Sequence, residues 1–146
     1  MKQLFFLIVI FCLTQFSCKK EDSADSTPTS LNGKWRMITV KEIASGATIT
    51  KPLSIPGDVD VTIISTSPGN GTFMGNTPTN EILQNNYSTG ENRTITIPNL
   101  NMTKVMETTW GNEFADNIRS SQNYSFETGG RLNIKTTNKI LTFQKQ

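Results

Sequence analysis

The sequence predicts a mainly β protein, an antiparallel β-barrel with one short helix. Residues 58–63 and 94–97 alternate apolar and polar side chains, which is typical of strands with one buried face. Clusters of Gly, Pro and Asn separate such segments, as in a series of hairpins. Only between residues 109 and 121 does the apolar spacing become helical. One β domain with a single helix is therefore expected.

The domain opens at residues 31–40, a β-rich run headed by Trp35. Gly33 indicates a turn or a close backbone approach just before it. Single large aromatic residues usually belong to the core, so we expect Trp35 to close one end of the barrel. Stacking against a ligand is the alternative role for this ring.

Residues 45–57 contain two glycines and two prolines and are predicted to form a loop. In residues 58–63 the alternation points three aliphatic side chains inward and leaves Asp58 and Asp60 on the outer face. The two carboxylates could bind calcium or act as an acid/base pair. Calcium needs six to eight oxygen ligands, and no ligand loop accompanies them. We therefore expect solvated carboxylates that discourage edge-to-edge strand pairing.

Two hairpin turns are indicated further along the chain. Residues 67–71 form a turn cluster with Asn70-Gly71 as the hairpin signal, and Gly129-Gly130 forms another. Further strands are predicted at residues 72–75, 94–97, 123–126, 131–134 and 140–143, the last two joined near Asn138.

Trp110, Phe114 and Ile118 recur every four residues, which places them on one face of a helix. Glu113 near its start and Arg119 near its end suit the helix dipole. We expect a single helix of about nine residues, around 112–121, packed on an end or flank of the barrel. Its aromatic stripe is expected to be core and not a cofactor site.

The first residues resemble an export signal. Lys2 precedes an apolar run, residues 4–13, which is too short for the roughly 20 residues of a spanning helix. The run leads to Ser17-Cys18, which resembles a bacterial lipobox in the loose form found in Bacteroidetes lipoproteins. This implies that residues 1–17 are removed and that Cys18 carries the lipid (palmitate). An ordinary signal peptide that leaves a free thiol is the alternative.

Residues 18–30 contain no large apolar side chain and are predicted to be a flexible tether. Within it, residues 20–22 resemble a surface-export signal, and residues 22–27 resemble O-glycosylation sites; a plain solvated linker is the alternative. The chain has two cysteines. Since Cys12 leaves with the signal, the mature domain forms no internal disulfide and depends on its core.

Short motifs follow one another in a characteristic order through residues 31–146. They are Gly33-x-Trp35, the Gly-rich segment 71–75 ending at Gly75, Asn80, Tyr87, segment 94–97, Thr103 with segment 103–106, Glu113-Phe114, and segment 124–134. This order resembles the META (heat-shock-lipoprotein-like) domain.

The resemblance implies a lipocalin-like antiparallel barrel with a helix. It also implies structural roles for the pattern residues Gly33, Trp35, Gly75, Asn80, Tyr87, Thr103, Glu113 and Phe114. Members of the family are linked to envelope stress and to export, with no common chemistry. Many members carry cysteines where this chain has Thr79 and Glu107, so a family disulfide or thiol role is absent here.

Several functional classes lose support from composition. The chain has no His, which removes Ser-His-Asp and Cys-His catalysis and most zinc sites. Its 14 basic and 12 acidic residues are spread evenly, so no footprint for nucleic acid is indicated. No cofactor or metal site is predicted.

The predicted function is that of a non-catalytic lipoprotein, anchored through Cys18 to the outer membrane of a bacterial envelope on its periplasmic or surface side. It would be stress-related or bind an envelope partner. A carrier of a small apolar ligand is one alternative. A hydrolase that uses Asp58, Asp60 or Glu113 on a glycan or ester is another.

Overall fold

A computed structural model describes residues 26–146. The predicted signal segment 1–17, the lipidation site Cys18 and the tether up to residue 25 lie outside the described residues. The strands are β1 (Gly33–Glu42), β2 (Thr48–Thr50), β3 (Asp60–Ser67), β4 (Asn70–Asn76), β5 (Glu81–Thr89), β6 (Ile95–Thr96), β7 (Ser121–Glu127), β8 (Arg131–Thr136) and β9 (Lys139–Lys145). The α-helix is α1 (Thr109–Ala115), and single 3-10 turns occupy Glu91–Arg93 and Ile118–Ser120.

All strand pairs are antiparallel, in the order β6-β5-β4-β3-β1-β9-β8-β7, with the short β2 added to β1. An isolated bridge between Thr94 and Asn123 brings the two outer strands together. Within residues 26–146, the sheet therefore forms a nearly closed barrel, and one α-helix packs against it. The predicted fold class is confirmed.

The two ends of the barrel are built from different segments. At one end, which we call the base, residues 26–32 join β1, and the β3–β4 and β7–β8 turns lie nearby; the Gly130 amide donates to the Ser26 carbonyl over 3.2 Å. At the other, which we call the helix end, α1 lies near the β4–β5 turn and loops 51–59 and 103–108. There the Asn80 side-chain amide donates to the Val105 carbonyl over 3.0 Å.

The core fills the barrel between these ends, and Trp35 and Trp110 are both buried. At the base, the Trp35 ring stacks on Phe126 with centroids 6.2 Å apart, and its indole N–H donates to the Leu31 carbonyl over 2.7 Å. At the helix end, Phe114 meets Phe143 edge-on at 6.5 Å. Burying such aromatic rings supplies much of the core's hydrophobic stabilisation.

The helix begins earlier and ends sooner than the predicted segment 112–121. It starts at Thr109 because the Thr108 side chain caps it, accepting from the Gly111 amide at 3.1 Å. It ends after Ala115, where the Asn117 side chain donates to the Glu113 carbonyl at 2.9 Å. The rest of the predicted helix is the separate turn Ile118–Ser120. The buried stripe of Trp110, Phe114 and Ile118 is nevertheless as predicted.

The first predicted hairpin turn lies elsewhere. Ser67 pairs with Asn70, so the loop is Pro68-Gly69, with Gly69 at φ +76°, and the Asn70-Gly71 pair belongs to β4. Gly71 is needed because a Cβ there would lie 2.5 Å from the Tyr87 ring. The Gly129-Gly130 turn is confirmed.

Two further strand predictions need correction. Loop 45–57 contains β2, which extends a hairpin at the end of β1. The predicted strand 94–97 forms a ladder with β5 at Ile95–Thr96, and Thr94 adds an isolated bridge to Asn123. It is followed by Pro98, which lacks the backbone N–H needed to continue a ladder.

Candidate functional site

The eight pattern residues do not converge on one site. Gly33 and Trp35 lie at the base, Gly75 and Tyr87 in the barrel wall, and Glu113 and Phe114 on α1. Only Asn80 and Thr103 meet, at the helix end, where the Thr103 hydroxyl donates to Asn80 Oδ1 over 3.1 Å.

Asn80 is the centre of a buried polar network that holds segment 103–108 against the β4–β5 turn. Its side-chain oxygen also accepts from the Val105 amide at 2.7 Å. Its side-chain amide donates to the Val105 carbonyl at 3.0 Å and to Glu107 Oε2 at 2.9 Å. With an exposure of 5%, the Asn80 side chain has both its donor and its acceptor atoms satisfied, as a buried amide must.

The Glu107 carboxylate completes this network and has neutral hydrogen-bond donors around it. Thr79 Oγ1 and the Thr108 amide each donate to Oε1 over 2.8 Å, and Thr77 donates to Oε2. Partial burial raises the pKa of Glu107, but the hydrogen bonds from Thr77, Asn80, Thr108 and Thr79 outweigh it and hold the pKa below its ordinary value.

Sequence reasoning identified Asn80 and Thr103 but not the role of Glu107. The available signal was the pair of positions, Thr79 and Glu107, at which the META domain that this sequence resembles often has cysteines. The structure places these two side chains in direct contact. Three of the Glu107 partners, Thr77, Thr79 and Asn80, belong to the β4–β5 turn, so the network fastens segment 103–108 to that turn. We call it the Asn80–Glu107 fastening.

The two aspartates of segment 58–63 lie on one face, as predicted, but they are not at an edge. β3 lies between β1 and β4 in the sheet, so the expectation that these carboxylates discourage edge-to-edge strand pairing is wrong. Arg36 makes a bidentate pair with Asp60, at 2.8 and 2.9 Å, and approaches Asp58 at 3.2 Å. Lys51 also pairs with Asp58, at 2.7 Å.

Glu113, the third carboxylate considered for catalysis, has a different cationic partner from the two aspartates. It pairs with Lys139 at 2.6 Å and thereby joins α1 to the start of β9. All three carboxylates therefore have cationic partners that the fold supplies.

The barrel interior contains a small apolar cavity of about 20 Å³, lined by residues such as Val61, Phe73, Phe114 and Ile134. That is room for about one water molecule. The pockets that hold drug-sized ligands usually measure roughly 300–1,000 Å³.

Three apolar side chains project from the loops of the helix end. Leu53 is fully exposed, Met106 is 90% exposed and Val105 is 62% exposed. Gly57 of the Leu53 loop lies against Pro78, and Thr79 contacts Met106, so the two loops flank the same turn. Large apolar side chains exposed together often mark a contact surface.

Within residues 26–146, no group of three His, Cys, Asp or Glu side chains is placed to hold a metal ion. The same residues include no helix that is long and apolar enough to cross a membrane. No family model, no curated protein and no solved structure matches this chain.

Proposed function

We propose that this chain is a lipid-anchored envelope lipoprotein whose META-like barrel binds a partner protein and has no catalytic role. One observation carries the proposal: the chain joins the barrel at the base, whereas Leu53, Val105 and Met106 project from the helix end. A tether on Cys18 would therefore hold the base toward the membrane and turn the apolar side chains away from it.

The helix end suits protein recognition because two of its apolar side chains, Val105 and Met106, belong to a loop that hydrogen bonds hold in place. The Asn80–Glu107 fastening bonds both the amide and the carbonyl of Val105. A loop ordered before binding loses less conformational entropy on association. The patch is small, so it fits a transient contact with an envelope protein better than a permanent assembly.

The alternatives receive less support. A carrier of an apolar ligand needs an interior space well above the 20 Å³ present. A carboxylate hydrolase needs two free acids facing one substrate, whereas Asp58 and Asp60 share the Arg36 guanidinium and Glu113 pairs with Lys139.

The anchor is tested by mass spectrometry of the membrane fraction. An N-terminal peptide that begins at a lipid-modified Cys18 is expected, and Cys18→Ala should release the chain from the membrane. An N-terminus at another residue, or an unmodified Cys18, would remove this part of the proposal.

The contact surface is tested in cells with a photoreactive residue placed singly at Leu53, Met106 or Ile64. Ile64 is the matched control, an exposed apolar residue of β3 located toward the base. Leu53 and Met106 should give the same discrete adduct, and Ile64 should not. Equal labelling from all three positions, or no discrete adduct at Met106, would contradict the proposal.

A further inference from the structure

The base of the barrel contains a cavity of about 190 Å³ that the proposed function does not use. Its walls come from residues 29–31, from the ends of β3 and β5, and from Tyr124 and Phe126 of β7. The helix end is covered by α1, so this cavity is the mouth of the barrel. Mouths of β-barrels are among the preferred places for small-molecule sites.

The side chains at inward-facing positions change from apolar to polar as the strands approach this mouth. Along β3, buried Ile63 is followed by Ser65 and Ser67, which both line the cavity although the strand register shifts between them. Along β5, buried Tyr87 is followed by Thr89. The interior is thus apolar, whereas the mouth contains several hydroxyl groups.

The aromatic wall of the cavity is rigid at its base. Tyr124 and Phe126 meet edge-on at 5.7 Å, and Phe126 stacks on the fully buried Trp35. Both β7 rings remain partly exposed. Trp35 stacks on Phe126 and the Arg93 guanidinium lies 5.9 Å from its centroid, so the ring contact with a ligand is assigned to Tyr124.

The polar groups of the cavity are uncharged, and several are uncommitted. Among the lining residues, all within the described part of the chain, none is Lys, Arg, Asp or Glu. The Ser65 and Tyr87 hydroxyls bond each other at 3.2 Å. Within residues 26–146, no hydrogen bond engages the side-chain hydroxyls of Ser67, Thr89 or Tyr124.

We propose that this mouth binds one neutral sugar ring. A pyranose has an apolar face of C–H groups, which fits the Tyr124 ring. Its hydroxyls both donate and accept, as do the hydroxyls of Ser67, Thr89 and Tyr124. Among the described residues, no charged side chain lines the cavity, and Arg93 is engaged with the Phe126 ring, which favours a neutral sugar over an acidic or phosphorylated one.

The test is saturation-transfer NMR on the full chain, kept in solution by a zwitterionic detergent that has no sugar headgroup. The probes are methyl β-D-glucopyranoside, methyl α-D-mannopyranoside and N-acetyl-D-glucosamine, with glycerol as the negative control. Irradiation of the protein should saturate the C–H protons of at least one sugar and should leave glycerol unaffected.

Variants locate the contact. Tyr124→Ala should weaken binding by about tenfold, as expected when a ring contact is lost. Ser67→Ala changes an exposed residue and should weaken binding by roughly threefold, the scale of one hydrogen bond, with the fold intact. Ser125→Ala is the matched control, since Ser125 is exposed between the two aromatic residues of β7 and faces outward; it should bind as the parent does.

Two outcomes overturn the proposal. One is a folded full chain that transfers saturation to none of the three sugars. The other is transfer that Tyr124→Ala and Ser67→Ala leave unchanged, which would place the contact elsewhere.

Discussion

The two ends of the barrel use different chemistry for the same task of excluding water from the core. At the base, aromatic rings stack, and cations lie over them: Arg93 is 5.9 Å from the Phe126 centroid and Lys145 is 5.9 Å from that of Trp35. At the helix end, α1 covers the core, and a carboxylate and an amide join separate loops through hydrogen bonds. The base thus depends on packing, and the helix end depends on polar contacts that fix loops.

The two tryptophans, one at each end of the barrel, differ in the hydrogen bonding of their indole N–H groups. Each is fully buried, but the Trp35 indole N–H has a carbonyl partner, whereas the Trp110 indole N–H has no hydrogen-bond partner within the described residues. An unpaired buried donor carries a desolvation penalty. The packing of the Trp110 ring therefore stabilises the protein, but its buried and unpaired N–H offsets part of that stabilisation.

The largest effects are expected from Trp35→Ala and Trp110→Ala. Truncating a buried Trp costs about 3–5 kcal/mol, against a total stability of ~5–15 kcal/mol. Each variant should melt about 10 °C or more below the parent in a thermal scan. A parent-like melting temperature for either variant would show that its ring does not close that end.

Phenylalanine replacements sharpen the comparison between the ends. Trp35→Phe leaves the Leu31 carbonyl without its partner, whereas Trp110→Phe removes an unpaired N–H. Trp35→Phe should therefore be the more destabilising by about 1 kcal/mol in urea unfolding. Equal losses would mean that the Trp110 N–H is satisfied in solution.

The next effect concerns Gly111, which lies one helical turn after Glu107. Alanine is a better helix former than glycine by about 1 kcal/mol. A Cβ at Gly111 would nevertheless overlap the Glu107 side chain, which the fastening holds in place. Gly111→Ala should therefore destabilise the protein by about 1 kcal/mol or more, as overpacking does.

The control is the same change without the carboxylate. In a Glu107→Ala background, Gly111→Ala should stabilise the protein, because only the helix propensity remains. Urea unfolding of the four proteins of this cycle measures the coupling. Additive effects would show that the Glu107 side chain is not fixed against Gly111.

The sequence predicted the local features of both ends and missed the distant ones. The alternation of residues 58–63 and the four-residue spacing of Trp110, Phe114 and Ile118 each arise from one element packing on the core, so they are visible in a short window. Glu107 meets Thr77 and Asn80 from 30 and 27 positions away. No periodicity records such a contact.

β5 shows why one long strand escaped prediction. Its buried residues Ile82, Asn85 and Tyr87 are spaced by three and then by two. The pairing of β4 with β5 shifts between Phe73 and Gly75, which is a bulge or similar irregularity. A shift of this kind changes which side chains face inward, so strict alternation is lost along the strand.

A smaller effect, confined to the helix end, should follow from pH. Since the pKa of Glu107 is below its ordinary value of 4.5, its carboxylate contributes stability that is fully present above that value. The contribution falls as the pH drops through the lower pKa of the folded protein. The stability difference between parent and Glu107→Gln should be constant near neutral pH and should shrink in acid.

Urea unfolding of both proteins across this pH range is the measurement. A stability difference that is unchanged down to strong acid would contradict the role assigned to Glu107.

The smallest effects should distinguish the cations of the two ends. Lys139 pairs with the Glu113 carboxylate, with side-chain exposures of 19% and 22%, whereas Arg93 lies over a ring. Lys139→Gln and Arg93→Gln should each cost about 0.5–1 kcal/mol. Salt screens an ion pair, so the Lys139→Gln loss should shrink at high ionic strength. The Arg93→Gln loss should persist, because dissolved salt screens the interaction of a cation with a ring quadrupole less than it screens a pair of charges.

Urea unfolding at low and high salt measures both losses, with Lys104→Gln as the control for an exposed lysine that has no ion pair among residues 26–146. If the two losses respond to salt alike, the electrostatic contrast between the ends fails, and only their difference in packing remains.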